Sequence, residues 1–98
     1  MKRLVLSKRA MRDMDKIWRY WAGRSSEEVA DGQVGRIQAT FPVLTGQEEA
    51  GRLVERWREG MRVFPAGRYM VYYELGRGVL RVLRVVAGER DQAAAWRK

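Results

Sequence analysis

LRVLRVVAGERD, residues 80–91, decides how the chain is read. Its first eight residues are apolar enough for a buried β-strand, yet two of them are arginines. Successive strand residues point to opposite faces. A regular strand therefore puts Leu80, Val82, Arg84 and Val86 on one side and Val79, Arg81, Leu83 and Val85 on the other. An unpaired buried guanidinium is too costly to keep. One arginine can meet water on an open sheet face. The other needs a carboxylate, a strand end or an exposed edge. Asp13, Asp15, Glu55, Glu74 and Asp91 are the candidate carboxylates.

Working back along the chain, residues 68–75 also alternate, with Tyr69, Val71, Tyr73 and Leu75 on one face and Met70 and Tyr72 on the other. Gly76-Arg77-Gly78 joins this strand to residues 79–87 as a hairpin. Residues 61–64 form a further strand, and Phe64-Pro65-Ala66-Gly67 fits a turn with proline at its second position. Residues 52–58 are assigned as a strand with poor alternation, closed by a turn at Glu59-Gly60. Residues 45–51 are a loop by composition. A short helical stretch covers Gln92–Trp96.

The first half has a helical period. After a short strand over 3–7, Ser7 caps a helix whose stripe is Ala10, Met14, Ile17 and Trp21, ending at Gly23. Ser25 and Glu28 suggest a capping box. The second stripe is Ala30, Val34, Ile37, Phe41 and Leu44, and Pro42 is expected to end or distort its last turn. The order is β-α-α-β-β-β-β. The fold class is α+β: an antiparallel sheet with an N-terminal helical hairpin on one face, the other face open or partly open. Residues 1–98 are read as one domain.

Composition narrows function. The 98 residues contain no cysteine and no histidine, and the net charge is +8. Thiolate chemistry, a Ser-His-Asp triad and the commonest metal ligand are thereby removed. No cofactor is implied. Residues 1–24 hold eight basic and two acidic residues, residues 25–51 one and five, and residues 52–98 eleven and five. Two basic ends flank an acidic middle, which suits an anionic partner. No segment has the length of a membrane span or a signal sequence, so a cytoplasmic location without membrane attachment is expected.

Three blocks resemble a known family. LSKRAMRDMDKIWRYW is similar to the S-x-x-A-x-x-D-[LM]-x-x-I-x-x-Y opening of the ParE/RelE toxin superfamily, through Ser7, Ala10, Asp13, Met14, Ile17 and Tyr20. GMRVFPAGRYMVYYEL resembles its G-[LM]-R-x-F-P-x-G-x-Y-x-[IV]-x-Y segment, through Gly60, Met61, Arg62, Phe64, Pro65, Gly67, Tyr69, Val71 and Tyr73. LRVLRVVAGERD is similar to the closing R-V-x-x-[GA]-x-R-D signature, through Arg84, Val85, Gly88, Arg90 and Asp91. The ParE branch fits better.

The resemblance implies the toxin of a bacterial type II toxin–antitoxin pair that inhibits DNA gyrase and is neutralised by an acidic antitoxin. The alternatives are a RelE-like nuclease cutting mRNA on the ribosome, or a non-toxic basic nucleic-acid-binding module. Ala87 stands where ParE-like chains often carry histidine, and the tail offers Trp96 where RelE-like nucleases place a histidine or tyrosine. The usual proton-transfer groups are thus missing, and a non-enzymatic inhibitor is favoured. Trp18, Arg62, Arg68, Arg81, Arg84, Arg90 and Trp96 are the expected contacts for target or antitoxin. Under the nuclease reading, Arg62, Arg84 and Arg90 would hold the phosphate.

Overall fold

The computed structural model describes residues 2–89 and 92–96. The elements run β1 (Arg3–Leu6), α1 (Lys8–Arg24), α2 (Glu27–Gly46), β2 (Arg52–Leu53), β3 (Arg62–Ala66), β4 (Tyr69–Gly76), β5 (Val79–Ala87) and a 3₁₀ turn (Gln92–Trp96). The five strands form one sheet in the order β1-β5-β4-β3-β2. Four of them pair antiparallel, as the hairpin signals require. β1 is the exception: it lies parallel to β5, Leu4 opposite Leu80 and Leu6 opposite Val82.

Each helix begins on a serine. Ser7 accepts the Ala10 N–H at 3.0 Å and donates its hydroxyl to the Leu83 carbonyl at 2.8 Å, so one side chain caps α1 and ties it to β5. The second cap differs from expectation by one residue. Ser26, not Ser25, accepts from Val29 N, while the Ser25 N–H closes α1 on the Trp21 carbonyl. Glu28 consequently falls at the second helical position, where with Glu27 it complements the helix dipole rather than completing a capping box. Nor does α2 stop at Pro42. It continues to Gly46, because Leu44 is fully buried and prolongs the Ile37 stripe. Burial of such a side chain contributes about 1.5–3 kcal/mol, comparable to what an interior proline costs.

Both helices cover the face formed by Tyr69, Val71, Tyr73, Leu80, Val82 and Val85, against Ala10, Met14, Ile17, Ile37 and Leu44. The opposite face, expected to be open or partly open, is partly covered. Met61, Val63, Tyr72, Leu83, Val86 and Ala95 form a second core there, with Val54, Trp57, Met70 and Trp96 packed around it. Its cover comes from residues 54–60 and the 3₁₀ turn. The expected strand over 52–58 is reduced to Arg52–Leu53, since the chain then folds back: Glu55 accepts the Gly60 N–H at 2.8 Å, and Trp57 packs over the sheet.

Pro65 lies within β3 rather than in a turn. The hairpin instead turns at Gly67-Arg68, with Gly67 at φ 64°, the left-handed value the first loop position of such a hairpin favours. β2 covers β3 only as far as Val63, so the missing N–H of Pro65 costs no sheet bond.

The opening stretch holds the main surprise. Tyr72 pairs with Arg84 and Tyr73 with Val82, so Leu83 is an extra residue, a β-bulge. The bulge breaks strict alternation. Val82 and Val85 share the helix-covered face, and Leu83 and Val86 the other. Arg81 opposite Glu74 and Arg84 opposite Tyr72 therefore fall on one and the same side of the sheet.

Candidate protein-docking groove

Those of the expected contact residues that are described do not converge on one surface. Arg84 is buried, 7% exposed; it grips Asp13 and donates to the Ala95 carbonyl at 2.7 Å. Arg81 is exposed, 3.8 Å from Glu74, which also pairs with Arg58 at 3.0 Å. Arg62 is half-buried on the helix side of β3, one strand in from the sheet edge, donating to the Gly51 carbonyl at 2.7 Å. Trp18 pins the two helices together through Nε1 to Asp31 Oδ1 at 2.8 Å. Trp96 stacks on Trp57, centroids 6.4 Å apart, and meets Tyr72 edge-on. Arg90 lies outside the described residues.

Of the described members of that set, Arg68 alone lines an apolar groove beside α1. α1 and the end of β5 enclose a groove of about 360 Å³ whose walls include Lys16, Ile17, Tyr20, Trp21, Arg68 and Val85. Residues 13, 16, 17 and 20 follow helical spacing and so face the sheet edge together. Trp21 donates its indole N–H to the Tyr69 hydroxyl at 2.8 Å, which fixes the ring. Tyr20 packs edge-on to Trp21, centroids 5.2 Å apart, yet remains 51% exposed. Arg68 lies over the Trp21 ring at 5.1 Å.

The groove runs beside an unfinished sheet edge. β1 covers β5 only from Val79 to Val82. Beyond it, Ser7 Oγ takes the Leu83 carbonyl and Asp13 Oδ2 accepts the Val85 N–H at 2.9 Å. By antiparallel alternation, the Val85 carbonyl and the Ala87 N–H face this same edge. An aromatic-walled groove beside backbone groups not covered by a strand suits an extended peptide, which can add as a strand while its side chains fill the groove. Sequence reasoning placed Trp21 in the core stripe and used Tyr20 only as a motif match. The available signal was Lys16 and Tyr20, four residues apart and off the core stripe.

Among the described residues, no cluster of three or more Asp, Glu, His or Cys is arranged to hold a metal ion, and no helix is long and apolar enough to cross a membrane.

A helical hairpin on a mostly antiparallel sheet, in the order β-α-α-β-β-β-β, is the architecture of a small type II toxin that the sequence resemblance implies. The chain belongs to the ParE toxin family of type II toxin–antitoxin systems (parDE), whose model matches residues 4–92. It is 34% identical over 86 residues to Toxin ParE1 of Caulobacter vibrioides, covering 88% of each chain. Toxin ParE3 of the same organism is 28% identical over 94 residues, covering 96% of this chain and 94% of that one. The fold matches the chromosomal ParDE toxin–antitoxin system from P. aeruginosa, TM-score 0.79 at 22% identity over 91% of this chain and 98% of that one. It also resembles YafQ from E. coli, TM-score 0.60 at 15% identity over 99% of this chain and 100% of that one.

Proposed function

We propose that this chain inhibits DNA gyrase in the cytoplasm without catalysing a reaction, and that an antitoxin neutralises it by binding along the α1–β5 groove. The observation that carries the antitoxin part is the uncovered edge of β5 beside Tyr20, Trp21 and Arg68. The net charge of +8 favours an acidic partner, because complementary charge steers association. The gyrase part rests on family membership together with the absence of histidine and cysteine from the sequence.

The ribosome-dependent nuclease reading has less support. Arg84, one of its three phosphate ligands, is committed to Asp13 and the Ala95 carbonyl inside the protein. Supercoiling by purified gyrase tests the proposal. Adding the chain is expected to lower it, and adding the cognate antitoxin to restore it. Unchanged supercoiling alongside cleaved transcripts in expressing cells would replace gyrase inhibition with the nuclease reading.

A further inference from the structure

A second pocket opens on the face away from the helices, between the loop after β2 and the chain after β5. Its walls include Arg52, Arg56, Trp57, Tyr72 and Gln92, enclosing about 500 Å³. Many arginines of this chain are already committed: Arg19 to Asp15, Arg58 and Arg81 to Glu74, Arg84 to Asp13. Arg52 and Arg56 are both exposed, and neither is ion-paired with a carboxylate among the described residues. Among the described residues, no acidic side chain lines the pocket.

The pocket also has flat aromatic walls. Arg56 sits over the Trp57 ring at 5.4 Å, and Trp57 stacks on Trp96. Tyr72 meets Trp57 edge-on at 6.3 Å and is oriented by its hydroxyl, which donates to Gln92 Oε1.

Two guanidiniums in reach of a stacked indole make a site for a planar base attached to a phosphate. Arginine binds phosphate oxygens bidentately. Bases stack on aromatic rings and on guanidinium planes alike. An acidic peptide would use the arginines but leave the aromatic walls idle, so the observations favour nucleic acid.

We propose that this pocket binds a single-stranded nucleic-acid segment, with Arg52 and Arg56 on the phosphodiester and a base against Trp57. The site lies across the sheet from the α1–β5 groove and does not depend on gyrase being the target. The test is fluorescence anisotropy of a labelled oligothymidylate titrated with the full chain at several salt concentrations.

Arg52→Ala/Arg56→Ala is expected to weaken binding about tenfold or more and to lower the log–log salt slope by about 1.4, the loss of two single-strand phosphate contacts. Arg12→Ala/Arg77→Ala removes the same charge from exposed positions outside the pocket, and at most a twofold loss is expected. Circular dichroism of both variants separates misfolding from lost contacts. Trp57→Phe, which keeps a ring, is expected to retain more affinity than Trp57→Ala. Three results would overturn the proposal: equal weakening by the two double variants, absence of binding by the unaltered chain, or displacement of the oligonucleotide by hexaglutamate at comparable concentration.

Discussion

Arg84 closes on Asp13 with two hydrogen bonds, Nε to Oδ2 at 2.8 Å and Nη2 to Oδ1 at 3.0 Å, joining positions 71 residues apart in the chain. Asp13 Oδ2 also accepts the Val85 N–H, and Arg84 Nη1 holds the Ala95 carbonyl. One ion pair thus fastens α1, the bulged strand and the C-terminal 3₁₀ turn together. Side-chain exposures of 9% and 12% mean that little solvent screens it. Breaking such a pair by removing one partner strands the other charge, at a cost of about 3–5 kcal/mol.

Asp13→Ala is therefore expected to lower unfolding free energy by about that amount in urea titrations. Asp13→Ala/Arg84→Met is expected to lose less than Asp13→Ala alone, because the stranded charge is gone. A double variant less stable than Asp13→Ala would mean that the cost lies in packing around Arg84, not in its charge.

That pair also marks where the sequence stops being legible. The stripes of α1 and α2 could be read, because burial imposes a period of 3.6 on a helix and Ala10, Ile17, Ile37 and Leu44 obey it. The hairpins were readable for the same kind of reason, a period of two punctuated by glycine. The bulge at Leu83 was not, because one inserted residue leaves both flanking runs apolar and only the pairing with Tyr72 and Tyr73 reveals it. Asp13 and Glu74 stood among five candidate carboxylates, and only tertiary packing assigns them to Arg84 and Arg81. The second core was hidden because Trp57 and Ala95 lie in irregular segments, where burial leaves no period. The groove was only partly visible: Arg68 was singled out, but Tyr20 and Trp21 acquire their role from the point at which β1 ends.

The two buried tyrosines set an alkaline limit on stability. Burial raises the Tyr72 hydroxyl above the ordinary value of 10.0, partly offset by Arg52 and the Trp96 indole. Burial likewise raises Tyr73, partly offset by its bond from the Gly51 N–H and by Arg62. Above pH 10 the unfolded chain releases these protons first, so the unfolded state binds fewer protons and stability falls as pH rises. Their contribution is present in full below pH 10 and is lost as pH climbs through the folded-state values. Urea midpoints between pH 9 and 11.5 are expected to fall less steeply in Tyr72→Phe than in the unaltered chain. Identical slopes would show that Tyr72 ionises as easily folded as unfolded.

Gly51 lets the loop after α2 lie directly on Tyr73. A Cβ there would stand 2.7 Å from the ring, and Tyr73 is fully buried, so it has nowhere to retreat. The same tyrosine accepts the Gly51 N–H at 2.9 Å and donates to the Glu48 carbonyl at 2.7 Å. Gly51→Ala is expected to destabilise by about 1–3 kcal/mol, the usual cost of overpacking. Gly23→Ala has open space around the new methyl and is expected to be neutral or slightly stabilising through helix propensity. Thermal melts of the two variants compare the sites directly, and similar melting temperatures would refute the close approach at Gly51.

Tyr20 tests whether the groove is where an antitoxin binds. It is 51% exposed and packs on Trp21, so truncating it removes a large contact while leaving the fold little changed. Aromatic anchors of this kind typically cost more than 1 kcal/mol when truncated at an interface, whereas surface substitutions elsewhere shift stability by about 0.5 kcal/mol or less. Met11 is 57% exposed and does not line the groove, which makes it the control. Calorimetric titration with the cognate antitoxin is expected to give about tenfold weaker binding for Tyr20→Ala and little change for Met11→Ala, with unfolding midpoints close to that of the unaltered chain in both. Undiminished affinity in Tyr20→Ala would move the antitoxin away from α1 and leave the free edge of β5 without an assigned partner.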